Sequence, residues 1–444
     1  MIDISPELIT ILMMGGLLVT VMLGFPLAFP IGTVALVVGY LAFGPSVFHL
    51  IYQQLFALLH NYVLLALPLF VFMGVVLEYS GIADRMYDAL YLLLSGFRGG
   101  LAIITVLLGT ILAACVGVIT ASITMLSALS LKAMVSRGYD KSLAAGAICA
   151  GGSLGILIPP SVMLVIYGPM ARISVGKLFF GAMIPGLLLA ILYTIYIVVR
   201  CHTKPELAPT VPVEERSVPM RHKMKLLFTS LLPPVAIILS VLGTIFAGIA
   251  PPTEAAAVGA FAALVLTASY RRLTWPVMKN ILRRSLVISS MVMFIGATSV
   301  AFTGVFLKGG GGEVVQNAVL AAPGGRWGIF FVVMFIYFIL GFFIEWLGIF
   351  FIMVPILAPL APMLGFDPVW FGIMICVNLQ MSFLTPPYAF AIFVLRGVAP
   401  PEVGLTSAHI IRGVLPYIFI IMFAMLLMVI FPSIITWLPG MMIR

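Results

Sequence analysis

GYDKSLAAGAICAGGSLGILIPP, running from Gly138 to Pro160, returns in altered form as GFDPVWFGIMICVNLQMSFLTPP, from Gly365 to Pro387. The two stretches align without a gap at an offset of 227 and share 7 identities in 23 pairs: Gly, Asp, Ile, Cys, Leu and both prolines. Composition alone yields about two such matches. In a chain this apolar, a repeat that carries a helix break in each copy points to a transporter. Its binding site is expected between the repeats, near the middle of the membrane.

The surrounding sequence sets the class. Of 444 residues, 63% are hydrophobic and 8% charged, against about 45–50% and 25% in soluble domains. Apolar stretches long enough to span a bilayer recur along the whole chain. The N-terminus has no basic region before an apolar core and no small-residue cleavage site, so it does not read as a signal peptide. The expectation is an all-α polytopic membrane protein in a lipid bilayer.

The net charge of +9 is no nucleic-acid signal, because the basic residues gather at a few connections, as the positive-inside rule requires. Residues 200–225 form the one long polar stretch, with six Lys/Arg, three Glu and several prolines. They read as a cytoplasmic linker. The connection before the first repeat carries Lys132, Arg137 and Lys141, whereas its counterpart at 358–368 has no Lys or Arg. The first connection is therefore expected inside and the second outside, which makes the repeats inverted. Arg172 and Lys177 then fall outside, against the rule. Counting crossings back from Arg85 and Arg98 places the N-terminus outside.

A Pro-Pro pair within a membrane segment removes two backbone donors and opens the helix. The carbonyls left over must be buried in protein or line a polar cavity. Ser153, Gly155, Ser161, Asn378, Gln380, Ser382 and Thr385 surround the two breaks. Small, uncharged and rich in oxygen is what a Na⁺ site of carbonyls and hydroxyls requires. The bland reading of either proline pair is a plain kink. Each break also follows an expected re-entrant hairpin. One has its tip at 115–122 and returns to Lys132; the other has its tip at 341–348 and returns to Pro362. The returning pieces look short for a full span. Helix N-termini pointing inward would favour an anionic substrate.

Glu345 sits in the second tip, where a charge is costly and usually functional; the alternative is a carboxylate at a helix end near water. Arg396 reads as reaching the headgroups rather than the substrate. Cys115, Cys149, Cys201 and Cys376 lack metal or redox spacing and read as packing residues. The five histidines form no catalytic or metal spacing. The glycines between Lys308 and Glu313 lack the ending of a phosphate loop and read as a flexible connection. With no ATP-binding motif, the driving force is expected from an ion gradient or another chain. An enzyme would need convergent His, Asp or Glu side chains at the membrane interface, and the sequence shows none.

GYDKSLAAGAICAGGSLGILIPPSVMLVIYG, SVGKLFFGAMIPGLLLA, APPTEAAAVGAFAALV and GFDPVWFGIMICVNLQMSFLTPPYAFAIF together resemble the large membrane subunit of TRAP transporters, the tripartite ATP-independent periplasmic systems. The resemblance covers nearly the whole chain. FLTPPYAFAIFVLRGVAP looks closer to the branch often labelled for mannitol/chloroaromatic compounds, which is similar to systems for 2-oxo acids and lactate. The resemblance implies an elevator-type Na⁺ symporter in the bacterial inner membrane. Its expected partners are a separate small four-helix membrane subunit and a soluble periplasmic protein that delivers a small organic anion. It divides the chain into N-terminal scaffold helices 1–97, a first transport repeat 98–177 and scaffold helices 178–325 with the cytoplasmic linker. A second transport repeat 326–409 and a C-terminal scaffold helix 410–444 follow.

Carried over by motif, a first Na⁺ site would use Gly117, Thr120, Ser122, Gly155, Ile158 and Ser161. A second would use Gly341, Ser382, Thr385 and Tyr388. Ser153, Glu345, Asn378 and Gln380 would face the substrate. The first tip departs from the Ser-Gly-Ser-like pattern of many members by reading Cys115-Val116-Gly117. The second has Glu345 where many have Asp. A self-sufficient Na⁺/carboxylate symporter of similar architecture, needing no binding protein, is the alternative.

Overall fold

The computed structural model describes residues 4–116, 119–210, 219–386 and 389–442, with the side chains of all but 113–116. Gly117 and Tyr388, two of the expected Na⁺ ligands, lie outside the described residues. The N-terminal helices are α1 (Pro6–Met22), α2 (Ala28–Phe43), α3 (Ser46–Leu59), α4 (Ala66–Tyr79) and α5 (Ile82–Leu94). The first repeat region holds α6 (Gly100–Val116), α7 (Ile119–Leu126), α8 (Lys132–Ser136), α9 (Lys141–Ser153) and α10 (Val162–Ala171). Then come α11 (Val175–Thr203), α12 (Met220–Phe246), α13 (Pro252–Ser269), α14 (Trp275–Lys308) and α15 (Gly311–Leu320). The second repeat region holds α16 (Gly325–Phe343), α17 (Trp346–Leu357), α18 (Leu360–Met363), α19 (Pro368–Ser382) and α20 (Phe390–Val398). The last helices are α21 (Ser407–Ile430) and α22 (Ser433–Gly440).

Among the described residues, nine helical stretches are long and apolar enough to cross a membrane. Large apolar side chains such as Leu232, Phe261, Phe331, Phe335 and Phe419 point outward, as a lipid solvent permits. The chain is a multi-pass membrane protein.

The identities shared by the two repeats have local explanations. Gly138 and Gly365 are aligned, and both take a positive φ, +80° and +74°, which costs glycine little and other residues more. Two residues on, Asp140 caps α9 by accepting from the Ser142 and Leu143 amides. Asp367 caps α19 by accepting from the Trp370 amide. Each satisfies donors that a helix start leaves free. Between glycine and aspartate stands an aromatic anchor. The Tyr139 hydroxyl accepts from the Leu101 amide at 3.3 Å, tying the base of α6 to α9. Burial pushes that phenol up to about 12, so it stays protonated. Its counterpart Phe366 stacks on Trp370 and meets Trp327 and Phe330 at the base of α16.

The hairpins have the expected order but longer returns. Ile119–Ser136 and Trp346–Met363 each run 18 residues, where the sequence pointed to shorter pieces. A π-helical turn at Ser127–Leu131 interrupts the first, and a turn after Leu357 interrupts the second. The second return is the most enclosed of the candidate spans, with 78% of it buried.

The two regions interlock. The post-break helix α10 packs on α17, the return of the other hairpin, with Tyr167 edge-on to Phe350. The post-break helix α20 packs on α7, and the Cys149 thiol on α9 reaches the Ala391 carbonyl on α20 at 3.7 Å. Glycines permit the closest crossings, as is usual where helices meet in membranes. A Cβ at Gly109 would sit 2.6 Å from the Gly151 carbonyl oxygen, and one at Gly146 would collide with the Gly413 backbone.

Two expectations change. Pro233 and Pro234 lie inside α12, which continues from Met220 to Phe246, so a proline pair alone does not open a helix here. The glycines after Lys308 are not a flexible connection. Gly311 and Gly312 are buried in the first turn of α15, and a Cβ on either would lie 2.5 Å from Phe306 or Leu307.

Candidate ion and substrate site

At the first break, α9 passes at Ser153 into a 3₁₀ turn, Leu154–Ile156, and helical structure resumes at Val162. The Pro159–Pro160 bond is cis. Ser161 precedes α10 but its side chain does not cap it; the hydroxyl donates back across the break to the Ile156 carbonyl. The Ile158 amide donates to the Leu154 carbonyl at 3.0 Å. Gly155, Ile158 and Ser161 are all buried. The return helix α7 lies on this segment so closely that a Cβ at Gly152 would sit 2.5 Å from Ile123 Cγ1. Of the expected tip ligands on α7, Ser122 is buried and Thr120 is exposed.

At the second break, Gly341 in α16 abuts Ser382 at the end of α19. A Cβ at Gly341 would collide with the Ser382 hydroxyl and lie 2.7 Å from its Cβ. The Ser382 hydroxyl donates to the Leu379 carbonyl and the Thr385 hydroxyl to the Met381 carbonyl, both at 2.8 Å. A hydroxyl that donates keeps its lone pairs, so these oxygens stay competent to face a cation. Gly341, Ser382 and Thr385 thus share one region, and all their oxygens are neutral. Among the described residues no three His, Cys, Asp or Glu side chains converge, so an ion here would be held by carbonyls and hydroxyls. That donor set suits Na⁺.

Glu345 occupies the turn between α16 and α17. It stands at the N-cap of α17, where its side chain makes no capping bond. It lines a cavity of about 230 Å³ with Gly341, Trp346, Phe383, Phe390 and Phe393. The N-termini of α17 and α20 both border this space, and their free amides favour negative charge. Among the described residues the wall contains no Lys or Arg.

The four expected substrate residues separate into three places. Ser153 and Gln380 meet: the Gln380 amide Nε2 donates to Ser153 Oγ at 3.2 Å. Both are fully buried, and Gln380 Oε1 has no hydrogen-bond partner among the described residues. Asn378 points elsewhere, donating to the Met334 carbonyl at 2.6 Å and so tying α19 to α16. It borders a Met- and Phe-lined groove rather than either break. Glu345 stands alone at the tip. The rings of Phe383, Phe390 and Phe393 were not singled out from the sequence, where phenylalanine within an apolar segment carries no signal of its own.

Two interlocked hairpin-and-broken-helix units in an all-helical membrane protein define a transporter fold. The crystal structure of the Alcanivorax borkumensis YdaH transporter shares it, with a TM-score of 0.63 over 96% of this chain and 99% of that one. At 14% identity, the likeness concerns the fold alone. The sequence itself matches the DctM component of the tripartite ATP-independent periplasmic transporters over residues 14–434, and the chain belongs to that family. It is 33% identical to the C4-dicarboxylate TRAP transporter large permease protein DctM of Pseudomonas aeruginosa, over 90% of this chain and 91% of that one. It is 31% identical to the sialic acid TRAP transporter large permease protein SiaM of Vibrio cholerae, over 87% and 88%. To the isethionate TRAP transporter permease protein DctMQ of Oleidesulfovibrio alaskensis it is also 31% identical, over 93% of this chain and 63% of that one. The resemblance seen in the sequence is borne out, and these relatives are transporter permeases, not enzymes.

Proposed function

We propose that this chain is the large permease of an importer that takes up a small organic anion, driven by a Na⁺ gradient and fed by a periplasmic binding protein. It would sit in the bacterial inner membrane beside a small four-helix subunit. The observation that carries the reading is the meeting of Gly341 with Ser382. It sets a hairpin tip against a helix break and surrounds the junction with neutral oxygens. The second site would use Gly341, Ser382, Thr385 and Tyr388. The first would use Gly117, Thr120, Ser122, Gly155, Ile158 and Ser161, with Thr120 the weakest member because it is exposed. The substrate would bind near the uncapped starts of α17 and α20, its charge facing their amides. Ser153 and Gln380 would support the breaks from behind.

The crossed packing of α10 on α17 and α20 on α7 supports inverted repeats that move as one body. In that reading the repeat regions 98–177 and 326–409 form the moving part of an elevator, and 1–97, 178–325 and 410–444 the fixed one. The relatives are named for C4-dicarboxylate, sialic acid and isethionate at nearly equal identity, so identity does not choose the substrate. What their names share is an organic anion, and a 2-oxo or hydroxy acid fits the branch that the second motif resembles.

The test is uptake into proteoliposomes holding this chain and its small subunit. Substrate should enter only with the binding protein outside and Na⁺ directed inward. Equal uptake with K⁺ in place of Na⁺ refutes the ion assignment. Uptake without the binding protein would establish the self-sufficient symporter instead.

A further inference from the structure

A second cavity, of about 500 Å³, lies away from the tips. One side is formed by Gln54 and Asn61, on and just after α3, and by Thr303 and Lys308 of α14; the other by Arg172, after α10, and Phe351 of α17. Its lining holds two cations and no acidic residue. The Arg172 backbone amide closes α10 on the Pro169 carbonyl, but its guanidinium has no ion-pair or hydrogen-bond partner among the described residues, and the Lys308 ammonium rests 5.0 Å above the Phe43 ring. Gln54 packs against Gly304, and Asn61 spends its carbonyl oxygen on the Val63 amide at 3.1 Å, which leaves its NH₂ free to donate.

Two features of Arg172 are costly. It holds the left-handed position that ends α10, at φ +57°, where glycine or asparagine is the ordinary choice. It also lies on the face that the positive-inside rule keeps poor in Lys and Arg. Lys308 shares that face. It ends α14, a helix of 34 residues and so about 51 Å long, whose other end carries Lys279, Arg283 and Arg284 and is preceded by Arg271 and Arg272. The external cations at these two positions thus converge on one concave space.

We propose that this cavity is an external capture site for the carboxylate or sulfonate of a small organic anion, which it holds before the anion reaches the hairpin tips. The proposal rests on the reading of the chain as an anion importer. Two unneutralised, exposed cations on one concave surface with no acidic residue in its lining create an attractive field for anions. The volume falls in the ordinary range of small-molecule pockets. Gln54, Asn61 and the two cations supply donors suited to a carboxylate. The walls come from α3 and α14 on one side and α10 and α17 on the other. An elevator movement of the repeats would therefore pull the seat apart, releasing the anion as transport proceeds.

The experiment places a cysteine at Ala57, which lines the cavity and is exposed, in a chain whose four native cysteines are replaced. Intact cells expressing it with the small subunit are treated with sulfonate-bearing or trimethylammonium-bearing methanethiosulfonate reagent. The anionic reagent should react about tenfold faster than the cationic one, relative to the same pair at an exposed control cysteine, Met363→Cys. Lys308→Gln and Arg172→Gly should each reduce that preference, and the pair should abolish it. The glycine variant relieves the left-handed backbone while removing the charge, so a loss there is not a folding defect. Millimolar pyruvate, lactate or malate should slow the reaction. No preference between reagents, or no slowing by any of these carboxylates, overturns the proposal. Slowing by the binding protein alone assigns the cations to docking and overturns it too. Because labelling reads local charge without transport, it stays separable from the uptake test. Preserved Na⁺-driven uptake with no anion preference removes only the capture site.

Discussion

Gln380 Nε2 donates to Ser153 Oγ at 3.2 Å, and the two residues are exactly one repeat apart, at a separation of 227. Equivalent positions of two repeats touch only where an axis relating the repeats passes between them. The contact therefore lies at the centre of the proposed symmetry, joining the end of α9 to the end of α19. Breaking it should uncouple the two broken helices without emptying the core. Hydrogen bonds between membrane helices are modest, so the coupling energy between Ser153→Ala and Gln380→Leu should be about 0.6 kcal/mol and at most roughly 1.7. A double-mutant cycle by reversible unfolding in mixed micelles measures it. Strict additivity would show that the pair does not interact.

Gly341→Ala should disable the second tip by crowding. The new methyl would collide with the Ser382 hydroxyl, and overpacking of this kind costs about 1–3 kcal/mol. Uptake should fall while membrane insertion persists. Ser382→Gly in the same chain should restore the space and the stability of the complex but not the Na⁺ affinity, because it removes the proposed ligand hydroxyl. If Gly341→Ala transports normally, tip and break are not in contact in the working protein.

Thr385→Val should raise the Na⁺ concentration for half-maximal uptake. Valine keeps the shape and removes the oxygen that now donates to the Met381 carbonyl at 2.8 Å. Leaving a buried partner unsatisfied costs about 1–3 kcal/mol, which is roughly 5- to 150-fold in affinity if one ion dominates. Protein yield should stay near normal. Ile158→Val, at the aligned position of the first break, should be milder, because only the backbone carbonyl there can bind an ion. An unchanged Na⁺ dependence in Thr385→Val would leave the second site to carbonyls alone.

The orientation of the repeats is open to direct labelling. Ser136 and Met363 are both exposed at the bases of their hairpins. A cysteine at Ser136 should react only with reagent reaching the cytoplasm, and one at Met363 only with reagent outside. Labelling of both from one side would sink the inverted arrangement.

The Glu78 carboxylate meets the Arg284 guanidinium at 2.6 Å, joining α4 to α14. Glu78→Gln should lower the thermal midpoint of the purified complex. Its effect on Na⁺ affinity should be negligible, since neither residue belongs to the segments that form the breaks. A shift in Na⁺ affinity without a stability change would give the pair a functional role instead.

Much of this protein was legible in the chain because it depends on local or solvent-averaged physics. Apolar composition dictates a membrane protein. The glycine at positive φ and the aspartate two residues later dictate a turn and a helix start, at Gly138 and Asp140 and again at Gly365 and Asp367. Grouping Asn378 with Gln380 at the substrate overlooked helix periodicity, since residues two apart do not share a face, and the structure sends them to different partners. What stayed hidden depends on neighbours distant in sequence. Pro233-Pro234 and Pro159-Pro160 are the same dipeptide, yet α12 runs through one and α9 stops before the other. Freed carbonyls are tolerated only where packed protein or a polar cavity receives them. The glycines after Lys308 look like a loose link until Phe306 and Leu307 are seen to fill the space beside them. Arg172 and Lys308, 136 residues apart by their numbers, become one anion-attracting cavity only when α10 and α14 are folded to the same end of the molecule, because charge acts through space and not along the chain.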